Sequence, residues 1–105
     1  MTRAAILMTT VDSDEAAVAI AEAAMESGLA ACVQEVPIRS TYRWKGEIER
    51  TQETLLLLKT TASAGERLRA LVEDRHPYEV PETILVAADA AGPYGAWLAG
   101  HVDGA

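Results

Sequence analysis

The chain has 105 residues, half of them hydrophobic, which is the size of a single domain with its own core. Its formal net charge of −7 excludes nucleic acid and anionic membrane surfaces as partners, because both bind through lysine and arginine. The single cysteine, Cys32, excludes an internal disulfide and favours a reducing compartment. There is no signal-peptide pattern, and no apolar run approaches the about 20 residues that cross a bilayer. We therefore expect one cytoplasmic domain over residues 1–105.

The first half of the chain predicts a strand, a helix and a long hairpin. A short apolar run with β-branched residues comes first, and acidic capping residues then begin an alanine-rich helix that Gly28 ends. The next strand is interrupted at Pro37, resumes, and turns at Gly46, which is free to adopt a positive φ. The return strand contains four consecutive leucines, typical of burial on both faces. The predicted strands are 4–11, 29–36, 38–45 and 48–59, and the helix is 15–27.

The second half predicts a helix, a strand and a short final helix. Ser63 and Glu66 form a capping-box pair that begins the first of these helices, and Pro77 stops it. An apolar run over 83–88 predicts the last strand. A Gly-Pro pair opens the final helix over 92–100, whose apolar side is predicted to carry Tyr94, Trp97 and Leu98.

The order of these elements predicts the fold class. Strand, helix, strand, strand, helix, strand and a short C-terminal helix form an α+β, ferredoxin-like split βαβ pattern. The central hairpin over 38–59 is longer than the other elements require, so its far half should project and offer edge hydrogen bonds to another subunit. Along it, Tyr42 and Trp44 alternate with cationic residues, which places the aromatic rings on one face and the cations on the other. We predict a symmetric oligomer.

The most informative segment is His76–Glu82, which holds a histidine, a tyrosine, two glutamates and two prolines. The prolines stiffen the backbone, and a stiff backbone holds a polar site in place. His76 is either a metal ligand assisted by Glu79 and Glu82 or a cap on the carbonyls of the preceding helix. The remaining histidine, His101, is predicted to be solvated.

Two further side chains have open alternatives. Cys32 is either a nucleophile with His76 as its base or a small core residue. Lys59 is either a cation at the rim of a pocket that faces Glu79 or Glu82, or a strand-end lysine that reaches water. Trp44 is expected to pack at a subunit boundary. One cysteine is too few for an iron–sulfur cluster, and an acidic chain without phenylalanine does not suit an RNA-binding sheet.

Several short motifs follow one another along nearly the whole chain. They are Ser40-x-Tyr42-x-Trp44-x-Gly46, a leucine run ending in Lys59-Thr60-Thr61, His76-Pro77-Tyr78-x-x-Pro81-Glu82, Trp97-Leu98, Ala30-Ala31-Cys32 and the stretch 9–15. In this order and spacing they resemble the CutA family of divalent-cation tolerance proteins. The resemblance implies a ferredoxin-like subunit in a homotrimer with exchanged hairpins, an architecture similar to the PII signalling proteins, and no assigned reaction.

The resemblance also implies a connection to copper and other divalent metals. The positions that match the copper ligands of some family members are Met8, Arg75 and His76. Met8 offers a soft thioether to Cu(I), whereas the Arg75 guanidinium cannot coordinate a metal. One good nitrogen ligand therefore remains at His76.

The leading hypothesis is a cytoplasmic, CutA-like homotrimer that takes part in divalent-metal tolerance and binds a metal, copper or another, or a small ligand in inter-subunit clefts. The cleft residues are predicted to be Cys32, Trp44, Lys59, His76, Tyr78, Glu79 and Glu82. An alternative is a PII-like sensor or scaffold that docks a partner protein. A third is an enzyme built on Lys59, His76 and Glu79, although no nucleophile–base–orienter set is visible, and the prediction is that the protein is not an enzyme.

Overall fold

The structure, a computed structural model, describes residues 2–104. Its elements are β1 (Thr2–Val11), α1 (Asp14–Glu26), β2 (Cys32–Trp44), β3 (Glu47–Thr61), α2 (Gly65–Arg75), β4 (Ile84–Ala90) and α3 (Gly92–Gly100). The strands form one antiparallel sheet in the order β2-β3-β1-β4. Because the two strands of the hairpin lie to one side of β1 and β4 lies to the other, this is the ferredoxin-like split βαβ arrangement that the sequence predicts.

The core lies between one face of the sheet and the helices α1 and α2. Alternate residues of β1, such as Leu7 and Val11, point into it and meet Ile20 of α1 and Leu68 of α2, all at most 1% exposed. The helix α1 begins at Ser13, whose hydroxyl accepts a 3.1 Å hydrogen bond from the Ala16 N–H. No helix within residues 2–104 has the length and hydropathy that crossing a membrane requires.

The opposite face of the sheet is apolar and largely uncovered, and we call it the open face. It is formed by Ile6, Met8, Leu57, Ile84 and Val86, which the register places in adjacent rows across β3, β1 and β4. Ile84 is 53% exposed and Val86 is 41% exposed. Burying such side chains is favourable by about 25 cal/mol per Å², so the open face has the character of an interface.

The helix α3 covers one end of the open face. Gly95 allows the close approach, because a Cβ at this position would lie 2.5 Å from the Ala90 carbonyl oxygen. Leu98 is buried as predicted, whereas Tyr94 and Trp97, which are expected on the same apolar side, are 45% and 41% exposed. Trp97 instead stacks between Tyr94 and His101, at ring-centroid distances of 5.5 and 4.9 Å. His101 is exposed, as predicted.

Local details of the predicted strands and helices differ from the structure. Pro37 does not interrupt β2, because β2 is an edge strand and proline is tolerated there. The residues 29–31 precede β2 rather than belong to it, and β4 extends past the predicted end. The leucine run is not buried on both faces, since Leu56 and Leu58 face the core whereas Leu55 and Leu57 are only half-buried.

The predicted capping box is also wrong. The helix α2 begins after Ala64, and no side chain caps it. The Ser63 hydroxyl lies instead 3.2 Å from the Thr61 hydroxyl, so it serves the end of β3 rather than the helix. The second half of the predicted pair, Glu66, forms an ion pair with Arg69 at 3.6 Å on the exposed surface.

Candidate functional site

His76 ties the segment after α2 to the central strand of the sheet. Its Nε2 donates a 2.9 Å hydrogen bond to the Thr10 carbonyl, and its Nδ1 accepts a 3.1 Å bond from the Tyr78 N–H. Because a carbonyl only accepts and an amide N–H only donates, the ring is neutral with its proton on Nε2. The expectation that His76 caps the carbonyls of α2 is therefore wrong, since its bond goes to Thr10 of β1.

Tyr78 connects the same segment to the hairpin. Its hydroxyl donates a 2.6 Å hydrogen bond to Oε2 of Glu53, and its ring meets the His76 ring edge-on at 4.7 Å. Burial of the ring, followed by the hydrogen bond to Glu53 and its negative charge, raises the pKa of Tyr78. The hydroxyl therefore remains a donor and holds the Glu53 carboxylate at this position.

Negative charge accumulates around Tyr78. Glu82 is half-buried, and its pKa is raised first by that burial and then by the negative charge of Glu53. Asp12, at the end of β1, also raises the pKa of Tyr78. We call Asp12, Glu53 and Glu82 the acidic cluster. None of the three belongs to an ion pair, since the pairs formed within residues 2–104 are Arg69–Glu66 and Arg75–Asp74.

A shallow cavity of about 280 Å³ lies beside the acidic cluster, between the turn that begins α1 and the base of the hairpin. It is lined by Asp12, Ser13, Asp14, Pro37, Gln52, Glu53 and Thr54. Carboxylate and hydroxyl oxygens are the ligands that hard divalent cations prefer. However, no group of three or more histidine, cysteine, aspartate or glutamate side chains within residues 2–104 is arranged to hold a metal ion. One chain therefore supplies part of a cation site at most.

The copper-ligand positions do not form a site within one chain either. Both ring nitrogens of His76 are already hydrogen-bonded, so coordination would require it to release Thr10 or the Tyr78 amide. Met8 lies on the open face, paired with Ile84 of β4. Arg75 is exposed, and its Nε lies 3.5 Å from the Asp74 carboxylate.

The structure brings together three of the predicted cleft residues, His76, Tyr78 and Glu82. Lys59 is six residues along β3 from Glu53, which is about 20 Å at 3.3 Å per residue. Within one chain, Lys59 therefore does not face Glu79 or Glu82. Glu79 is in the same segment as His76, but its side chain is exposed.

The two remaining predicted cleft residues, Cys32 and Trp44, lie at opposite ends of the hairpin. Cys32 is half-buried and lies directly opposite Lys59 on the neighbouring strand, so one chain forms no Cys32–His76 pair. Trp44 is near the tip of the hairpin, opposite Glu47, and is 39% exposed. The Lys45 ammonium lies 5.6 Å from the centre of its ring. Only contacts with another chain would bring Trp44 to the acidic cluster.

The hairpin itself has two chemically different faces. The register pairs Tyr42 with Glu49 and Trp44 with Glu47, so that face is aromatic and acidic. The opposite face carries arginines, and it holds a shallow cavity of about 460 Å³. The residues that line this cavity are Arg39, Thr41, Arg50, Thr51 and Gln52. The predicted separation of aromatic rings from cations holds for Arg39 and Arg43, but not for Lys45, whose ammonium lies against the Trp44 ring.

Sequence reasoning missed Glu53 and Asp12. Glu53 is separated from Tyr78 by 25 positions, and only the register of the hairpin brings the two together. One signal was available: Glu53 is an acidic residue two positions before a run of four leucines. From the sequence, Asp12 can be interpreted only as a capping residue. Its position near Tyr78 depends on how the segment His76–Glu82 docks beside β1, and no local sequence pattern indicates that docking.

Comparisons with known proteins agree with this architecture. Residues 5–101 match the family model described as CutA1 divalent ion tolerance protein. A protein of Thermus thermophilus named "Divalent-cation tolerance protein CutA" is 46% identical over 95 residues, 89% of this chain and 92% of its own length. The human "Protein CutA" is 41% identical over 91 residues, 85% of this chain but only 51% of its own length. The chain thus spans about half of that relative.

Solved structures extend the likeness to the fold. The crystal structure of CutA1 from Oryza sativa superposes with a TM-score of 0.92 at 32% identity and covers 99% of this chain and 97% of its own. Two further relatives, from Arabidopsis thaliana and Archaeoglobus fulgidus, are named as chloroplastic and periplasmic. The residues that match the family model include all of the sheet except the start of β1, and the segment that holds His76 and Tyr78. The chain therefore belongs to the CutA1 divalent ion tolerance family.

Proposed function

We propose that this protein serves divalent-cation tolerance as a homotrimer in which a divalent cation or small cationic ligand binds at the acidic cluster, completed by a neighbouring copy. The observation that carries this proposal is that Asp12 and Glu53 line one cavity, that the negative charge of Glu53 acts on Glu82, and that none of the three forms an ion pair within residues 2–104. A bound cation would offset both causes that raise the pKa of Glu82, which are its burial and then the negative charge of Glu53.

Two features support assembly into a trimer. The open face exposes apolar side chains such as Ile84 and Val86, which a monomer would leave in water. Both edge strands, β2 and β4, have one unpaired side. A closed ring of copies would cover both features, and three is the number that the family resemblance implies.

The oxygen-rich character of the acidic cluster favours Zn²⁺, Cd²⁺ or Cu²⁺ over Cu(I). A copper site built on Met8 and His76 would need another chain to supply further ligands, because His76 is fully hydrogen-bonded. Equilibrium dialysis of the assembled protein against each ion, followed by elemental analysis, tests the proposal. We expect about one cation per cluster. Metal retention no greater than that of a buffer control would contradict it.

A second candidate function is PII-like docking of a partner protein. It is favoured by the long hairpin, whose tip exposes Trp44 and whose two faces differ in charge. The experiment is a pull-down with wild-type protein and a Trp44→Ala variant, with and without a chelator. A partner that is retained in chelator and lost in the variant supports docking, and the absence of such a partner counts against it.

The remaining expectations concern catalysis and location. Within one chain Lys59 lies far along β3 from His76, so the residues of the enzyme hypothesis do not form a catalytic site in one chain. We propose that the protein acts without catalysing a reaction. We also propose a cytoplasmic location, which the lone Cys32 supports. Fractionation of the native cell tests the location.

A further inference from the structure

A second polar group, the Lys59 ammonium, lies far from the acidic cluster, at the end of the open face that α3 covers. Lys59 is half-buried there, beside Ile6 of β1 and Cys32 of β2. It borders a cavity of about 250 Å³ between the sheet and α3. The cavity is lined by Ala4, Ala5, Ile6, Lys59, Ala88, Asp89, Ala90, Ala91, Tyr94 and Leu98.

Within residues 2–104 the Lys59 ammonium forms no ion pair with a carboxylate. Asp89 borders the cavity, but its cross-strand partner is Arg3, and alternation along β4 directs its side chain to the other face of the sheet. The neighbour of Lys59 is the Tyr94 ring, whose centre lies 5.8 Å from Nζ. Such a cation–π contact positions an ammonium and leaves N–H donors free.

The end of α3 adds to the positive potential of this cavity. Ala91 is the N-cap residue, and its side chain makes no capping hydrogen bond. Ala91 and Tyr94 both line the cavity, so the N-terminal turn of the helix borders it. A helix N-terminus favours anions, and here it adds to the positive charge of the Lys59 ammonium. The apolar alanines and Leu98 form the rest of the wall.

We propose that this cavity binds a small organic acid, with its carboxylate on Lys59 and its apolar body between the Tyr94 ring and the alanine wall. An ammonium–carboxylate pair held by charge-assisted hydrogen bonds is the chemistry that an unpaired lysine in an apolar wall selects. The cavity of about 250 Å³ suits an acid of a few carbon atoms rather than a larger ligand. This site is about 20 Å along β3 from Glu53 and does not depend on the proposed cation site.

The composition of the chain provides a clean experiment. Lys45 and Lys59 are the only lysines, so reductive methylation with ¹³C-formaldehyde labels these two and the chain N-terminus while it keeps their charge. We expect butyrate and benzoate, added to the assembled protein, to shift the Lys59 resonance saturably, and acetate to bind more weakly. The Lys45 resonance, at the exposed hairpin tip, is the internal control. Chloride at equal ionic strength should move neither signal.

Variants distinguish binding at a specific site from a general effect of the protein's charge. Lys59→Met should weaken butyrate binding about tenfold or more by saturation-transfer NMR of unlabelled protein, whereas Lys45→Met should leave it unchanged. Ala91→Asp should also weaken binding, because it adds a carboxylate at the rim, although it gives α3 a better cap and should not lower its stability. An unchanged Lys59 resonance would contradict the proposal. That is the result expected if a carboxylate of a second copy already occupies the cavity. Equal binding by wild type and folded Lys59→Met would also overturn it.

Discussion

The Tyr78 hydroxyl lies 2.6 Å from Oε2 of Glu53 and joins the segment after α2 to a strand that precedes it by 25 positions. A phenol that donates to a carboxylate in a half-buried position makes one of the stronger kinds of hydrogen bond. It fixes Glu53 beside Glu82 and thereby creates the repulsion between two carboxylates. This contact thus contributes to the acidic cluster, together with the register of the hairpin and the docking of the segment on Thr10.

Replacing Tyr78 by phenylalanine removes that hydroxyl and should lower the free energy of unfolding by about 1–2 kcal/mol, since Glu53 loses a donor. Glu53→Gln should cost less, because an amide oxygen can still accept the bond. A double-mutant cycle of Tyr78→Phe with Glu53→Ala, which removes the acceptor altogether, gives the coupling when it is measured by urea denaturation at fixed protein concentration. Strictly additive effects of the two substitutions would show that the contact does not stabilise the protein.

Glu82→Gln should change how stability depends on pH. Because the folded-state pKa of Glu82 is raised above its ordinary value of 4.5, the folded state binds more protons than the unfolded state in the window just above that value. Stability conferred by Glu82 therefore falls as pH rises through the window. We expect the variant to be more stable than wild type at about pH 7 and to lose that advantage at about pH 4.

The matched control for this change is Glu79→Gln, in the same segment but with an exposed side chain. It removes the same unit of negative charge from a chain of net charge −7 without relieving the acidic cluster. Thermal denaturation of both variants at the two pH values makes the comparison. An equal gain at neutral pH in both variants would assign the effect to net charge rather than to Glu82.

Gly95→Ala should loosen α3. The new Cβ would lie 2.5 Å from the Ala90 carbonyl oxygen, so the helix would have to move off the sheet. We expect a loss of about 1–3 kcal/mol. Gly100→Ala in the same helix is the control, since its Cβ meets nothing within 4 Å, and it should change stability little or raise it. Similar losses in both variants would contradict close packing at Gly95.

Ile84→Asp should break the assembly. In one chain Ile84 is 53% exposed, so the aspartate costs the isolated fold little, but in a trimer it would place a charge in an apolar interface. Size-exclusion chromatography with light scattering should show a trimer for wild type and smaller species for the variant. Val18→Asp, on the outer surface of α1 at 46% exposure, should remain a trimer. A monomeric wild-type protein would refute the proposed assembly.

Sequence reasoning predicted the fold because each element has a local signal. The alanine-rich stretch that ends at Gly28 favours α1, and the alternation around Tyr42 and Trp44 gives the correct faces of the hairpin. The errors have tertiary causes. Pro37 was expected to interrupt a strand, and it is tolerated because β2 is at the edge of the sheet. Ser63 was expected to cap α2, but its hydroxyl lies beside that of Thr61.

The site was predicted less completely than the fold. His76, Tyr78 and Glu82 could be recognised because two prolines place them in one stiff segment. Glu53 and Asp12 come from other elements, and only sheet register and the docking of that segment on Thr10 bring them near. Lys59 is predicted in the same inter-subunit cleft. Within one chain it lies about 20 Å along β3 from Glu53, so its place in that cleft stays a prediction.

The central claim is that the acidic cluster binds a divalent cation, and isothermal titration of the assembled protein with Zn²⁺, Cd²⁺ and Cu²⁺ tests it most directly. The comparison uses wild type, a Glu53→Gln/Glu82→Gln double variant, and Glu79→Gln as the charge control. We predict saturable binding to wild type and to Glu79→Gln, with at least about tenfold weaker binding to the double variant, since two of the three clustered carboxylates are lost. Equal affinities for a folded, trimeric double variant and for wild type would contradict the account.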